Sequence, residues 1–254
     1  MIHQTAVIEK GAEIAEDAEI GPYCVIGGNA AIGAGTRLIS HVAVDGRTSI
    51  GSSCTIHPFA SLGGPPQDVT YKGEETTCLI GNNNVIREYV TVNRGTKSSG
   101  TTRVGNDNLI MAYSHIAHDC VVGSNIIMAN CATLGGHTHV DDFASLSGLC
   151  AIHQYCKVGK YAFISGLTGI TKDLPPFMMA AGGRAALYGL NVVGLERRGF
   201  SKEEIGTLKK AYRILFRSSL PLQASLEQIE EQLEGEHVRE LVAFIRSSER
   251  GICR

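Results

Sequence analysis

Aliphatic residues recur every sixth position along most of the chain. Stepping by six from Ile2 gives Ile8, Ile14, Ile20, Ile26, Ile32, Leu38, Val44, Ile50, Ile56 and Leu62. The same phase resumes at Ile80, Ile86 and Val92, and again from Val104 to Ile170. Of the 29 positions so spaced between 2 and 170, 26 are aliphatic, and only Asp68, Glu74 and Ser98 break the rule. The residue after the aliphatic one is often Gly, as at Gly21, Gly33, Gly81, Gly105 and Gly135, which predicts tight corners built on unusual backbone angles. The residue two before it is small, as at Ala6, Ala12, Ala18, Ala30 and Ala132. One large and one small inward position per hexad describe a short strand and a corner. Three such units close an 18-residue triangular coil, and stacked coils form a parallel β-helix with coils about 4.8 Å apart.

Two stretches leave the register. Residues 63–79 and 94–103 are polar and contain Gly or Pro, so they read as loops thrown out from the coil, a common place for binding residues. The prolines of "DLPPF" (173–177) predict the end of the regular coils, because proline cannot donate to a sheet ladder. After about residue 190 the pattern turns helical. Ser201 and Glu204 form a capping box, and Ile205, Leu208, Tyr212 and Leu215 mark one helix face. Two more helices are expected, from Pro221 to about Leu233 and from about Glu236 to Ser247. The fold is therefore mainly β, with a β-helix domain over 1–190 and a small α-helical domain over 191–254.

Composition removes several function classes. The net charge of −2 argues against a nucleic-acid partner. No apolar run is long enough to span a bilayer, and the first residues have no basic segment followed by an apolar one, so a cytoplasmic protein without membrane insertion is expected. Cys24, Cys54, Cys78, Cys120, Cys150 and Cys156 all occupy the small inward slot where other coils have Ala. They read as buried small hydrophobes rather than disulfides or zinc ligands.

The candidate chemistry lies in "AYSHIAHDC" (112–120) and the segments 18 and 36 residues on. Folded on the coil, His118, Gly136 and Gln154 form one column and Asp119, His137 and Tyr155 the next, with His115 and His153 on the same edge. Three readings compete for this group. One is a polar solenoid edge. The second is a metal site, which needs three converging imidazoles and lacks the His-x4-His pair used by trimeric β-helix carbonic anhydrases. The third is acid–base catalysis, with an imidazole taking a proton from a sugar hydroxyl and the Gly136 N–H facing a developing oxyanion.

The motifs "QDVTYKGE", "NRGT", "DNLIMAYSHIAHDC", "LGGHTHVDDFA", "IHQYCKVG", "DLPPF" and "GLERRGF" carry a resemblance that spans the chain. It resembles the hexapeptide-repeat acyltransferases, and among them the UDP-N-acetylglucosamine O-acyltransferases that open lipid A biosynthesis. The resemblance implies a left-handed coil, although parallel crossovers are otherwise right-handed. It implies a homotrimer with active sites between subunits and no cofactor. The implied reaction moves an (R)-3-hydroxyacyl group from acyl carrier protein to the 3-position of UDP-N-acetylglucosamine. His118 matches the general base, Asp119 a residue orienting it and Gly136 the oxyanion donor. Asp68, His115 and His137 match sugar contacts, with Gln67 and Gln154 nearby. His153, Asn191, Arg197 and Arg198 match positions near the nucleotide and phosphates, and Gly166 falls in the acyl groove. Thr70, Asn93 and Val193 depart from the usual Lys, His and carboxylate. These departures keep a 3-amino sugar nucleotide open as the acceptor.

Overall fold

The computed structural model describes all 254 residues. The hexads form a left-handed parallel β-helix whose three faces are sheets of nine, eight and ten short strands. Each strand pairs in parallel with the strand one coil on, in the register that the 18-residue step requires: His115 opposite Thr133, and Thr133 opposite Ala151. The chain passes from the first sheet (Val7–Ile8 to Gly169–Ile170) to the second (Glu13–Ile14 to Lys157–Val158). It then crosses to the third, which begins at Glu19–Ile20. From Ile20 onward the hexad aliphatics are almost entirely buried and join one continuous core with the helical region. On the edge joining the third sheet to the first, Tyr23, His41, Phe59, Tyr89 and Tyr113 stack with ring centroids 4.8–5.0 Å apart, which is the coil spacing.

The glycine expectation needs correction. The glycines after the aliphatic position have negative φ, Gly63 excepted. They are small because the coils are close: a Cβ on Gly21 would lie 1.8 Å from the Ile39 carbonyl oxygen, and one on Gly33 2.6 Å from Gly51. Left-handed backbone falls two residues later, at eighteen non-glycine positions that include Asp119, His137 and Tyr155. None is β-branched, since branching at Cβ makes this conformation most costly.

Three boundaries also move. The loops are shorter than expected, because the strands Ser61–Gly64 and Thr77–Ile80 flank the first and Thr101–Val104 takes the end of the second. The coils do not stop at the prolines: Met178–Ala181 still pairs in parallel with Phe163–Ile164 and is closed by an antiparallel strand, Ala186–Leu190. A short helix, α1 (Val192–Arg197), precedes the three expected ones, α2 (Lys202–Arg217), α3 (Leu222–Gln232) and α4 (Glu236–Arg246). The capping box of α2 is present: Ser201 accepts from the Glu204 N–H, and Glu204 accepts from the Ser201 N–H.

The six inward cysteines are buried. Burial pushes the thiols of Cys78, Cys120 and Cys150 up to about 12, so they are inert neutral groups at ordinary pH. No helix is long and apolar enough to cross a membrane.

Candidate active site

The edge joining the first sheet to the second carries the histidine group. His118 stands two residues beyond the inward Ile116, so its side chain leaves the coil at the corner, with 12% of its surface exposed. The next residue, Asp119, has a side chain with no exposed surface. The two meet at 2.8 Å between His118 Nδ1 and Asp119 Oδ2. A carboxylate only accepts, so Nδ1 carries the proton and Nε2 keeps its lone pair.

Asp119 is unusually well supplied with donors. Thr96 gives its N–H at 3.0 Å and its hydroxyl at 2.7 Å, and Ser99 gives both its N–H and its hydroxyl. His137 Nε2 stands 3.6 Å from Oδ2. Burial pushes the Asp119 carboxyl up, but the bonds from Ser99, His118 and Thr96 outweigh it and hold the group below the usual carboxylate range. The second loop therefore folds back onto the edge and is anchored there by this carboxylate.

Gly136 lies one coil beyond His118, and the imidazole rests directly on it. A Cβ on Gly136 would stand 2.6 Å from His118 Cε1 and 2.8 Å from Nε2. Any side chain would displace the ring. The Gly136 N–H has no acceptor in the protein, although the Gly136 carbonyl accepts from the Tyr155 N–H at 3.0 Å. A nitrogen with a free lone pair and an unpaired amide donor thus lie on adjacent coils of one column.

His137 packs edge-on against His118, with ring centroids 5.3 Å apart, and stacks on Tyr155 at 4.4 Å. His115 lies on the neighbouring strand and bonds Thr91 Oγ1 through Nδ1 at 2.7 Å. Burial first, and the charge of His118 second, push its pKa down, so it is held neutral. Asp68 sits in the first loop, where the Thr70 N–H and hydroxyl at 2.8 and 2.9 Å hold its carboxyl low. The loop leaves the coil between Ser61–Gly64 of the first sheet and Thr77–Ile80 of the second, which places it at this edge. Gln67 beside it is exposed. Arg94 ties that loop down through the Tyr71 hydroxyl and the Gly63 carbonyl. His153 and Gln154 are exposed one coil beyond Gly136, and His153 Nδ1 bonds the Gln154 carbonyl at 3.0 Å.

The remaining sequence candidates are elsewhere on the chain. Asn191, Arg197 and Arg198 line a groove of about 530 Å³ over the third sheet, with Ile127, Ser145 and Phe163. Asn191 caps α1 by accepting from the Gly194 N–H, and donates to the Tyr161 carbonyl at 3.0 Å. Arg198 lies over the Phe143 ring at 4.9 Å. Gly166 is at the edge joining the third sheet to the first, 3.3 Å from the Gly148 carbonyl oxygen in Cβ terms. One copy of the chain thus gathers His115, His118, Asp119, Gly136, His137, His153, Gln154 and Asp68 along one edge, and keeps the arginine groove and Gly166 apart from them. Sequence reasoning missed Thr91, Thr96 and Ser99. Hexad register assigns no place to the two loop residues, and only their small hydroxylated side chains marked them.

His118, Asp119 and His137 also present one ligand atom each within 4.8 Å of one another, a spacing that could enclose a metal ion. Asp119 Oδ2 already accepts the His118 Nδ1 proton at 2.8 Å.

Comparison with known proteins bears on this geometry. The family model described as Udp N-acetylglucosamine O-acyltransferase, Domain 2, matches residues 173–253, and the bacterial transferase hexapeptide model matches 101–136. An acyl-[acyl-carrier-protein]--UDP-N-acetylglucosamine O-acyltransferase of Thermodesulfovibrio yellowstonii is 55% identical over 255 residues, covering 100% of this chain and 99% of the relative. The solved UDP-N-acetylglucosamine acyltransferase of Bacteroides fragilis superposes with a TM-score of 0.98 at 41% identity, covering all of both chains. The corresponding structure from Acinetobacter baumannii gives 0.97 at 44% identity, covering 100% of this chain and 99% of the other. With these enzymes matching the chain from end to end, through both the hexad coil and the helical tail, the chain belongs to the UDP-N-acetylglucosamine O-acyltransferase family.

Proposed function

We propose that this protein transfers an (R)-3-hydroxyacyl group from acyl carrier protein to the 3-hydroxyl of UDP-N-acetylglucosamine, the first step of lipid A biosynthesis. The observation that carries the reading is His118. Its Nδ1 is committed to Asp119, and its free Nε2 lies against a glycine whose amide is unpaired. Nε2 takes the proton of the sugar 3-hydroxyl as the oxygen attacks the thioester carbonyl carbon. The carbonyl oxygen gains the negative charge and accepts from the Gly136 N–H. Collapse breaks the C–S bond, and the imidazolium returns its proton to the leaving thiolate of the carrier. Asp119 holds the tautomer and stabilises the imidazolium. No acyl-enzyme forms. The thioester is already activated, so a base and an oxyanion donor suffice and no cofactor is required.

Asp68, His115, His137, Gln67 and Gln154 would surround the sugar, and His153 would lie toward the phosphates. Asn191, Arg197, Arg198 and Gly166 would serve from a neighbouring subunit of a homotrimer, since in one copy they face away from His118. The protein would act in the cytoplasm. A 3-amino sugar nucleotide is the second acceptor, favoured by Asn93, whose buried Oδ1 has no donor.

His118→Ala should lower kcat roughly 10²–10⁴-fold, the range for removal of a general base, with the oligomer and melting temperature preserved. Steady-state transfer to 3-hydroxy and 3-amino UDP-sugars tests this. Retained transfer in the variant would remove His118 as the base. Metal analysis of the active protein separates the metal reading, which requires a stoichiometric ion.

A further inference from the structure

The segment after α4 folds back onto the last coils and is fixed there by backbone and buried groups. Asp173 is 1% exposed. Its N–H donates to the Gly251 carbonyl at 3.0 Å, and its carbonyl accepts from the Cys253 N–H at 2.8 Å. Its carboxylate accepts from the Ser248 hydroxyl at 2.7 Å and from the Lys157 N–H at 2.8 Å. Lys157 Nζ donates to the Ser247 carbonyl at 3.2 Å, and Ile252 and Cys253 are buried. This docking uses no atom of the Arg250 side chain.

Arg250 is carried by that anchored turn to the histidine edge. Its guanidinium comes within 3.4 Å of His153 Nδ1. The His153 contact does not satisfy it. His153 Nδ1 is closer to the Gln154 carbonyl, at 3.0 Å, and a nitrogen donating its proton there has no lone pair for an arginine. Arg250 enters none of the chain's ion pairs. It is an exposed cation without an anion, on a rigid tether.

Its position matches a specific need. Gln154 lies two coils from His118 in the same column, which is roughly 10 Å at the spacing of parallel strands. In a nucleotide sugar whose 3-hydroxyl meets His118, the ring and the glycosidic oxygen separate that hydroxyl from the diphosphate by a span of the same order. A guanidinium matches diphosphate oxygens with paired charge-assisted bonds. Resting on the reading above that a UDP-sugar occupies this edge, we propose that Arg250 is a substrate-binding residue that grips the diphosphate beside His153. Asp173 is then its positioning residue, acting through the docked tail.

The test measures binding of UDP and of UDP-N-acetylglucosamine by calorimetry, together with steady-state kinetics, for the full chain and its Arg250 variants. Arg250→Ala should weaken both ligands roughly tenfold or more, as expected for loss of a hydrogen bond to a charged group. The same factor should appear in KM for UDP-N-acetylglucosamine rather than in kcat or in KM for the acyl carrier. Arg250→Lys should recover part of the affinity. Arg250→Gln keeps the stem without the charge and should behave like the alanine variant at an unchanged melting temperature, which guards against a loosened tail. Unchanged affinity for UDP in Arg250→Ala and Arg250→Gln overturns the assignment and leaves the acyltransferase reading intact. So does a loss confined to kcat and melting temperature. Failure of the unaltered protein to bind either nucleotide overturns both.

Discussion

Two edges of the same prism share one backbone and differ in one hydrogen bond. On the edge joining the second sheet to the third, four successive amides two residues past the inward aliphatic are each accepted by a side chain one coil on. Ser52 N–H reaches Asn82 Oδ1 at 2.8 Å, Asn82 N–H reaches Asn106 Oδ1 at 2.7 Å, and Asn106 N–H reaches Ser124 Oγ at 2.9 Å. Ser124 N–H continues the ladder to Asp142 Oδ1 at 2.7 Å. On the histidine edge the same hexad position holds His118, Gly136 and Gln154, and none of the three amides has an acceptor. Gly136 brings no side chain to the His118 amide, and the imidazole fills the space instead. The repeat builds both corners alike. The stretch of the histidine edge where the ladder stays open is the one that holds His118 and Gly136.

Closing the open ladder should have the largest effect. Gly136→Ser would place a Cβ inside the His118 ring contact and turn the base away, so kcat should fall at least about 100-fold, because misplacement of about 1 Å costs on that order. Single-turnover transfer rates would show it, and a variant with full kcat would refute the steric argument.

A smaller effect should follow from emptying the carboxylate. Asp119→Ala strands the donors of Thr96 and Ser99, which should cost about 2–4 kcal/mol of stability as well as rate. The effect carries a pH signature. A carboxyl held below its ordinary value contributes stability that is fully present above about pH 4 and is lost as pH falls through the depressed value. Thermal melts should therefore show the gap between wild type and variant narrowing in acid. A gap that widened there would reverse the assigned direction.

The smallest effect is expected on the closed ladder. Asn106→Ala removes the acceptor of the Asn82 amide and should cost about 1 kcal/mol, with catalytic constants within about twofold. A large loss of rate from this substitution would mean that the two edges are not functionally separate.

Much of the site could be read from the chain before any coordinates. Hexad phase alone turned His118 outward, stacked Gly136 on it and placed His137 over Asp119, because a fixed 18-residue step converts sequence spacing directly into columns. The same phase put the six cysteines inside. It misjudged the corner glycines, whose smallness answers the neighbouring coil's carbonyls rather than backbone angles. It also ran out at the loops, where chain return is decided by what a loop can bond to. Thr96 and Ser99 are fixed by a carboxylate about twenty residues away.

The sequence by itself determined the repeat, the inward face, the histidine columns and the family, since each depends on local periodicity or on motifs read in order. Only the tertiary structure decided the rest. It closed the second loop on Asp119 and left the Gly136 amide free. It kept Asn191, Arg197, Arg198 and Gly166 away from His118 within one copy, and brought Arg250 back to His153 across 97 residues of chain. These contacts have no period. They arise from where long-range packing puts a donor beside a buried acceptor, and spacing along the chain does not encode that.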